Sequence, residues 1–78
     1  MKSRHAQPGN ARQRVATNLK KLRMMRGLSQ EKMAEAADFH RTYVSQLERC
    51  VTNISIDGLE RLANALNVDI ADLLKPFD

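Results

Sequence analysis

Arg41, Thr42, Ser45 and Gln46 fall within the stretch Arg41-Thr42-Tyr43-Val44-Ser45-Gln46-Leu47-Glu48-Arg49, at offsets that gather on one side of a helix, away from Val44 and Leu47. The chemistry they offer is hydrogen bonding without bond breaking. A guanidinium and a carboxamide can each make two parallel hydrogen bonds to the edge of a base, and a hydroxyl can bond a base or a phosphate oxygen. Charge and polarity are displayed outward, while Val44 and Leu47 supply the apolar face that holds the display in place.

The preceding segment must position that face. Ser29 offers an oxygen as a helix cap, and Gln30 to Ala37 follow with the small inner face Met33, Ala34 and Ala37. Only three or four residues separate the two helical patterns, too few for the helices to lie side by side, so they must cross steeply. A short-turn helix pair whose second helix carries such a polar face is a helix-turn-helix of the kind that reads DNA. Around it, Val15, Leu19 and Leu22 mark a first helix from about Arg12 to Arg26, closed by Gly27. Ser55 caps a fourth helix with Ile56, Leu59, Leu62, Ala63 and Leu66 inward, and Asn67 closes it. Asp69 then caps a short fifth helix with Ile70, Leu73 and Leu74, stopped by Pro76. No alternating strand pattern occurs, so the expected fold is all-α. Residues 1 to 11 read as a flexible basic arm containing Pro8-Gly9, and residues 12 to 78 as one domain.

Seventy-eight residues bury about 60% of their unfolded surface, enough for a small aliphatic core but not for a deep catalytic cavity. The first thirty residues hold eight of the thirteen Lys and Arg side chains and no acid; the remainder hold five basic and nine acidic side chains, or +8 against −4. A chain polarised in this way presents one end to a polyanion. Cys50 is the only cysteine, which excludes an intrachain disulfide and a thiolate zinc site, and neither His5 nor His40 joins it at a metal-binding spacing. No nucleophile–base set or Gly-rich phosphate loop is present, so neither an enzyme nor a metal or cofactor is expected. No apolar run suits a signal peptide or a membrane span. The expected location is cytoplasmic.

Four stretches carry a family resemblance: Leu19-Lys20-Lys21-Leu22-Arg23, Gly27-Leu28-Ser29-Gln30-Glu31, Arg41 to Arg49, and Leu59-Glu60-Arg61-Leu62-Ala63. In their order and spacing, residues 16 to 75 resemble the helix-turn-helix domain of the lambda-repressor and Cro superfamily, the XRE family. The Arg-Thr-Tyr opening and Asn53-Ile54-Ser55 further resemble restriction–modification controller proteins. The resemblance implies a five-helix lambda-repressor-like DNA-binding domain, a homodimer, and a third helix in the major groove of double-stranded DNA. Carried over residue by residue, it implies base reading by Arg41, Thr42, Ser45 and Gln46: Arg41 on guanine, the Thr42 methyl on thymine, Gln46 on adenine. Phosphate contacts fall to Gln30, Tyr43, Arg49 and Lys20, with bracing of the third helix a second role for Gln30 and partly buried packing an equal alternative for Tyr43. Arg23 and Glu48 match a structural ion pair. The chain departs from the family at Asp38, for the usual turn glycine; at His40, for a Ser or Thr cap; and at Cys50, for a closing glycine.

Val68, Ile70, Leu73, Leu74 and Phe77 supply more apolar surface than a terminal short helix needs, which marks the expected dimer interface. The leading expectation is a sequence-specific transcriptional regulator that reads a pseudo-palindromic operator. The alternatives are an antitoxin-type protein that binds a partner and regulates its own gene, and a phage Cro-like repressor. RNA polymerase enters as a partner only if binding activates, and no residue set marks a patch for it.

Overall fold

Ser29 and Ser55 leave the helical region of φ/ψ and turn their hydroxyls back on the chain. Ser29 Oγ accepts from the Lys32 N–H at 3.0 Å and Ser55 Oγ from the Gly58 N–H at 2.9 Å, each satisfying one free donor of a helix start. In the computed structural model, which describes residues 10–76, these caps open α2 (Gln30–Ala37) and α4 (Ile56–Leu66). The other two α-helices are α1 (Asn10–Met25) and α3 (Arg41–Glu48). Asn10 and Ala11 are therefore helical rather than part of an arm; residues 1–9 lie outside the described residues.

All four helices end in the same way. Gly27, Asp38, Cys50 and Asn67 have φ of 69°, 61°, 61° and 59°. The next N–H returns to a carbonyl five residues back: Leu28 to Arg23, Phe39 to Ala34, Val51 to Gln46 and Val68 to Ala63, at 2.8–3.1 Å. This is the Schellman closure, and only one of its four left-handed residues is the favoured glycine. Leu28, Phe39 and Val68 pack on the core as the motif requires, whereas Val51 stays 59% exposed.

The core gathers Leu19, Met33, Val44, Leu62, Leu66 and Leu73. Two expectations are corrected here. Ile56 faces solvent and is 75% exposed. Ile54, immediately before the Ser55 cap, packs on the core cluster with Leu59 instead, the arrangement of a hydrophobic staple. The expected fifth α-helix is also a four-residue 3₁₀ helix, Ile70–Leu73, so the described chain has four α-helices and one 3₁₀ helix. Asp69 and Asp72 cap it reciprocally, and Pro76 has no N–H to extend it. The carbonyls at its end are already bonded by α1: Asn18 Nδ2 donates to Leu73 and Lys75, and Arg14 Nη1 to Leu74.

Candidate nucleic-acid interface

Val44 and Leu47 are buried at 0% and 2% exposure, which fixes the rotation of α3 about its axis. With those two inward, Arg41 and Thr42 are exposed and Ser45 and Gln46 are half-buried, all four on the outer side. The structure thus groups the four expected base-reading residues on one accessible helix.

The C-terminal end of α3 is tied to α1 and α2 through one carboxylate. Glu48 accepts from Arg23 Nε at 2.6 Å, from Arg23 Nη2 at 3.0 Å and from Gln30 Nε2 at 3.1 Å, while Arg23 Nη1 donates to the Leu28 carbonyl at 2.7 Å. The Arg23 and Glu48 side chains are 12% and 4% exposed, and the hydrogen bond to Glu48 holds the guanidinium above its usual pKa. Gln30 takes its bracing role here. Its position at the first residue of α2 also leaves it beside free N–H groups at the positive end of the helix dipole.

Tyr43 lies at the other end. Its ring packs on Phe39 with centroids 5.0 Å apart, and its hydroxyl donates to the Asn53 carbonyl at 2.8 Å. Burial pushes the phenol above its usual pKa, opposed in part by the charge of Arg61. With its only donor engaged, Tyr43 is first a packing residue, and a phosphate contact requires that bond to be given up.

Among the described residues the ion pairs are Arg23–Glu48, Lys32–Glu35 and Lys75–Asp72, none of which uses Arg41, Arg49, Lys20 or Lys21. Lys20, Lys21 and Arg49 line one groove of about 390 Å³ between α1 and the end of α3, together with Gln13, Thr17 and Cys50. Two expected phosphate ligands, Lys20 on α1 and Arg49 directly after α3, are thereby brought together. The structure adds Lys21, Gln13 and Thr17 to them. Their signal lay in the spacing Gln13, Thr17, Lys20 and Lys21, a polar stripe on α1 opposite the stripe begun by Val15 and Leu19.

Leu73, expected at a dimer surface, is fully buried in the monomer core and has no area to offer a second copy. Val68, Ile70 and Leu74 are partly buried against that core and keep some surface; Phe77 lies outside the described residues. The described residues hold no cluster of three or more His, Cys, Asp or Glu arranged for a metal, and none of their helices is long and apolar enough to cross a membrane.

A helix pair joined by a three-residue turn, an outward polar helix anchored by a buried ion pair, and unpaired cations beside it define a helix-turn-helix DNA-binding domain. The family described as HTH_3, helix-turn-helix, matches over residues 19–73, and the chain belongs to it. The control protein C.BamHI of Bacillus amyloliquefaciens is 49% identical over 47 residues, covering 60% of this chain and 58% of the relative, so the match spans little more than half of that protein's length. Among solved structures, the restriction–modification controller protein C.AhdI from Aeromonas hydrophila superposes with a TM-score of 0.77 at 34% identity, covering 80% of this chain and 94% of that one. The controller protein C.Esp1396I, solved as a tetramer with its natural 35 base-pair operator, gives a TM-score of 0.72 at 32% identity over 83% and 96% of the two chains.

Proposed function

We propose that this chain is a controller-type transcriptional regulator acting in the cytoplasm, which binds a pseudo-palindromic operator as a homodimer with one α3 in each major-groove half-site. The observation that carries the reading is the outward face of α3, held at one end by the buried Glu48 hub and flanked by unpaired Lys20 and Arg49. In this reading Arg41 pairs with guanine, Thr42 packs on a thymine methyl, Gln46 pairs with adenine, and Ser45 adds a hydroxyl between them. Lys20 and Arg49 contact phosphates, with Gln30 at the N-terminus of α2. The tetramer on operator DNA formed by C.Esp1396I supports a DNA-bound oligomer here. Val68, Ile70 and Leu74 offer its apolar contact; Leu74 also lines a groove with Val15, Ile54 and Leu59.

The deciding experiment selects random duplexes with the purified protein and sequences the bound fraction. The expected result is a two-fold motif with half-sites about one helical turn apart, roughly 34 Å, whose preference relaxes at one base pair per half-site in Arg41→Ala. Retention without a motif would overturn the reading. Residues 1–9 contribute Lys2 and Arg4 as non-specific phosphate ligands. Their deletion flattens the log–log salt slope by about 0.9 for each phosphate no longer neutralised and leaves the motif unchanged.

A further inference from the structure

Helix α3 begins without the usual support. His40 occupies the cap position in extended conformation and makes no side-chain hydrogen bond to the helix, unlike Ser29 and Ser55. The residue that closes α2, Asp38, has φ of 61°, where glycine is favoured. Neither the cap nor the turn residue explains how the start of α3 is held.

A residue from a distant helix reaches this turn. On α4, Arg61 donates Nε–H to the Ala37 carbonyl at 3.1 Å and Nη2–H to the Asp38 carbonyl. These belong to the unsatisfied carbonyls at the negative end of the α2 dipole, where a fork of cationic donors fits both geometrically and electrostatically. The same guanidinium lies 4.1 Å from the centre of the Phe39 ring, a cation–π contact. Phe39 packs on Tyr43 in the first turn of α3, and Tyr43 bonds back to Asn53 just before α4. A closed circuit therefore runs from α4 through Arg61, the turn, Phe39 and Tyr43 to Asn53 and again to α4.

We propose that Arg61 is a positioning residue for sequence discrimination: by clamping the α2–α3 turn it sets the orientation of the N-terminal half of α3, where Arg41 and Thr42 stand. The proposal rests on the reading of α3 as the base-reading helix. It gives Arg61 itself no contact with DNA. Bidentate contacts to a base are short and directional, so a small tilt of the helix weakens them, whereas contacts of long Lys and Arg side chains to phosphate tolerate it. The charge of Arg61 is also felt at the Tyr43 phenol, which places the two residues in one electrostatic environment.

The test compares wild type, Arg61→Gln and Arg61→Lys on the duplex selected by wild type and on a scrambled duplex of equal length. In Arg61→Gln, affinity for the selected duplex is expected to fall roughly tenfold, comparable to one wrong base pair, with affinity for the scrambled duplex and the salt slope unchanged. Arg61→Lys keeps the charge and one donor but not the fork, and should recover part of the discrimination. Near-ultraviolet circular dichroism follows the single tyrosine, and its Tyr43 signal should weaken in Arg61→Gln while far-ultraviolet helicity holds. Equal losses on both duplexes with a salt slope smaller by about one would make Arg61 a phosphate ligand and overturn the proposal. Unchanged discrimination in both variants would overturn it too. If Arg61→Gln fails to fold, Arg61→Lys carries the test alone, and full wild-type discrimination in it would overturn the clamp. Failure of the underlying function reading is seen separately, as absence of any motif in the wild-type selection.

Discussion

The two ends of α3 are secured by opposite means. At the C-terminal end, Glu48 gathers three hydrogen bonds from Arg23 and Gln30 almost out of solvent. At the N-terminal end there is no side-chain cap, the turn residue is left-handed Asp38, and the securing cation, Arg61, is largely exposed. The buried knot is all-or-none: taking away one partner strands a charge where water cannot reach it. The exposed clamp is graded, because water can take the place of each of its hydrogen bonds. One end therefore serves folding and the other can be adjusted at small cost, which suits an end that carries Arg41 and Thr42.

The largest test of this contrast is Arg23→Ala, which leaves Glu48 buried without its ion partner. It should cost roughly 3 to 5 kcal/mol in urea unfolding, with DNA affinity per folded molecule changed far less. An unaltered unfolding midpoint with lost binding would remove Arg23 from the structural role. At the opposite end, His40→Ser supplies the missing cap and should stabilise by about 1 kcal/mol, raising the thermal midpoint by about 4–8 °C for a domain of this size. His40→Ala, with no cap bond to lose, should leave the midpoint nearly where it was.

Smaller again is Cys50→Gly, which relieves the left-handed residue closing the well-anchored end. Relief of about 1–2 kcal/mol of strain, set against the unfolded-state entropy of glycine at roughly 0.5–1 kcal/mol, leaves a gain of about 0.5 kcal/mol. A destabilised variant would show that the Cys50 side chain packs better than its strain costs. The smallest expected effect is alkaline. Burial raises the Tyr43 phenol above its usual value, so its contribution to stability is complete below a pH of about 10 and is lost as pH rises through the folded value. Tyrosinate absorbance should report the N-terminal end of α3 loosening while Arg23, held above its usual pKa, stays charged. Simultaneous loss of all helicity at the first sign of tyrosinate would mean that the two ends are one cooperative unit.

Much of the domain was legible in the chain because its devices are local. Ser29, Ser55 and Asp69 each bond a backbone N–H two or three residues on, and Gly27, Asp38 and Asn67 each close a helix within five. Such signals survive in a one-dimensional reading, as does the helical period that sets Arg41, Thr42, Ser45 and Gln46 against Val44 and Leu47. The apolar residue before each cap also recurs at Leu28, Phe39, Ile54 and Val68, five positions before Met33, Val44, Leu59 and Leu73, with all eight in or against the core. This staple spacing marks Ile54 rather than Ile56 as the inward residue, a signal that the simple helical period overrode.

What the chain alone determined, then, is the order of helices, their caps and closures, and which face of α3 is polar, because each depends on residues within about two turns of one another. The tertiary structure decided where separated residues meet. Asn18 and Arg14 bond the carbonyls around the 3₁₀ turn across 55 to 60 positions, and that turn buries Leu73 that the sequence pattern left free for a partner. Arg61 finds the α2–α3 turn from 23 to 24 positions away. No periodicity encodes such pairs, since their energies depend on helices first packing into register. The orientation of the polar face is accordingly a property of the folded core and not of α3 itself.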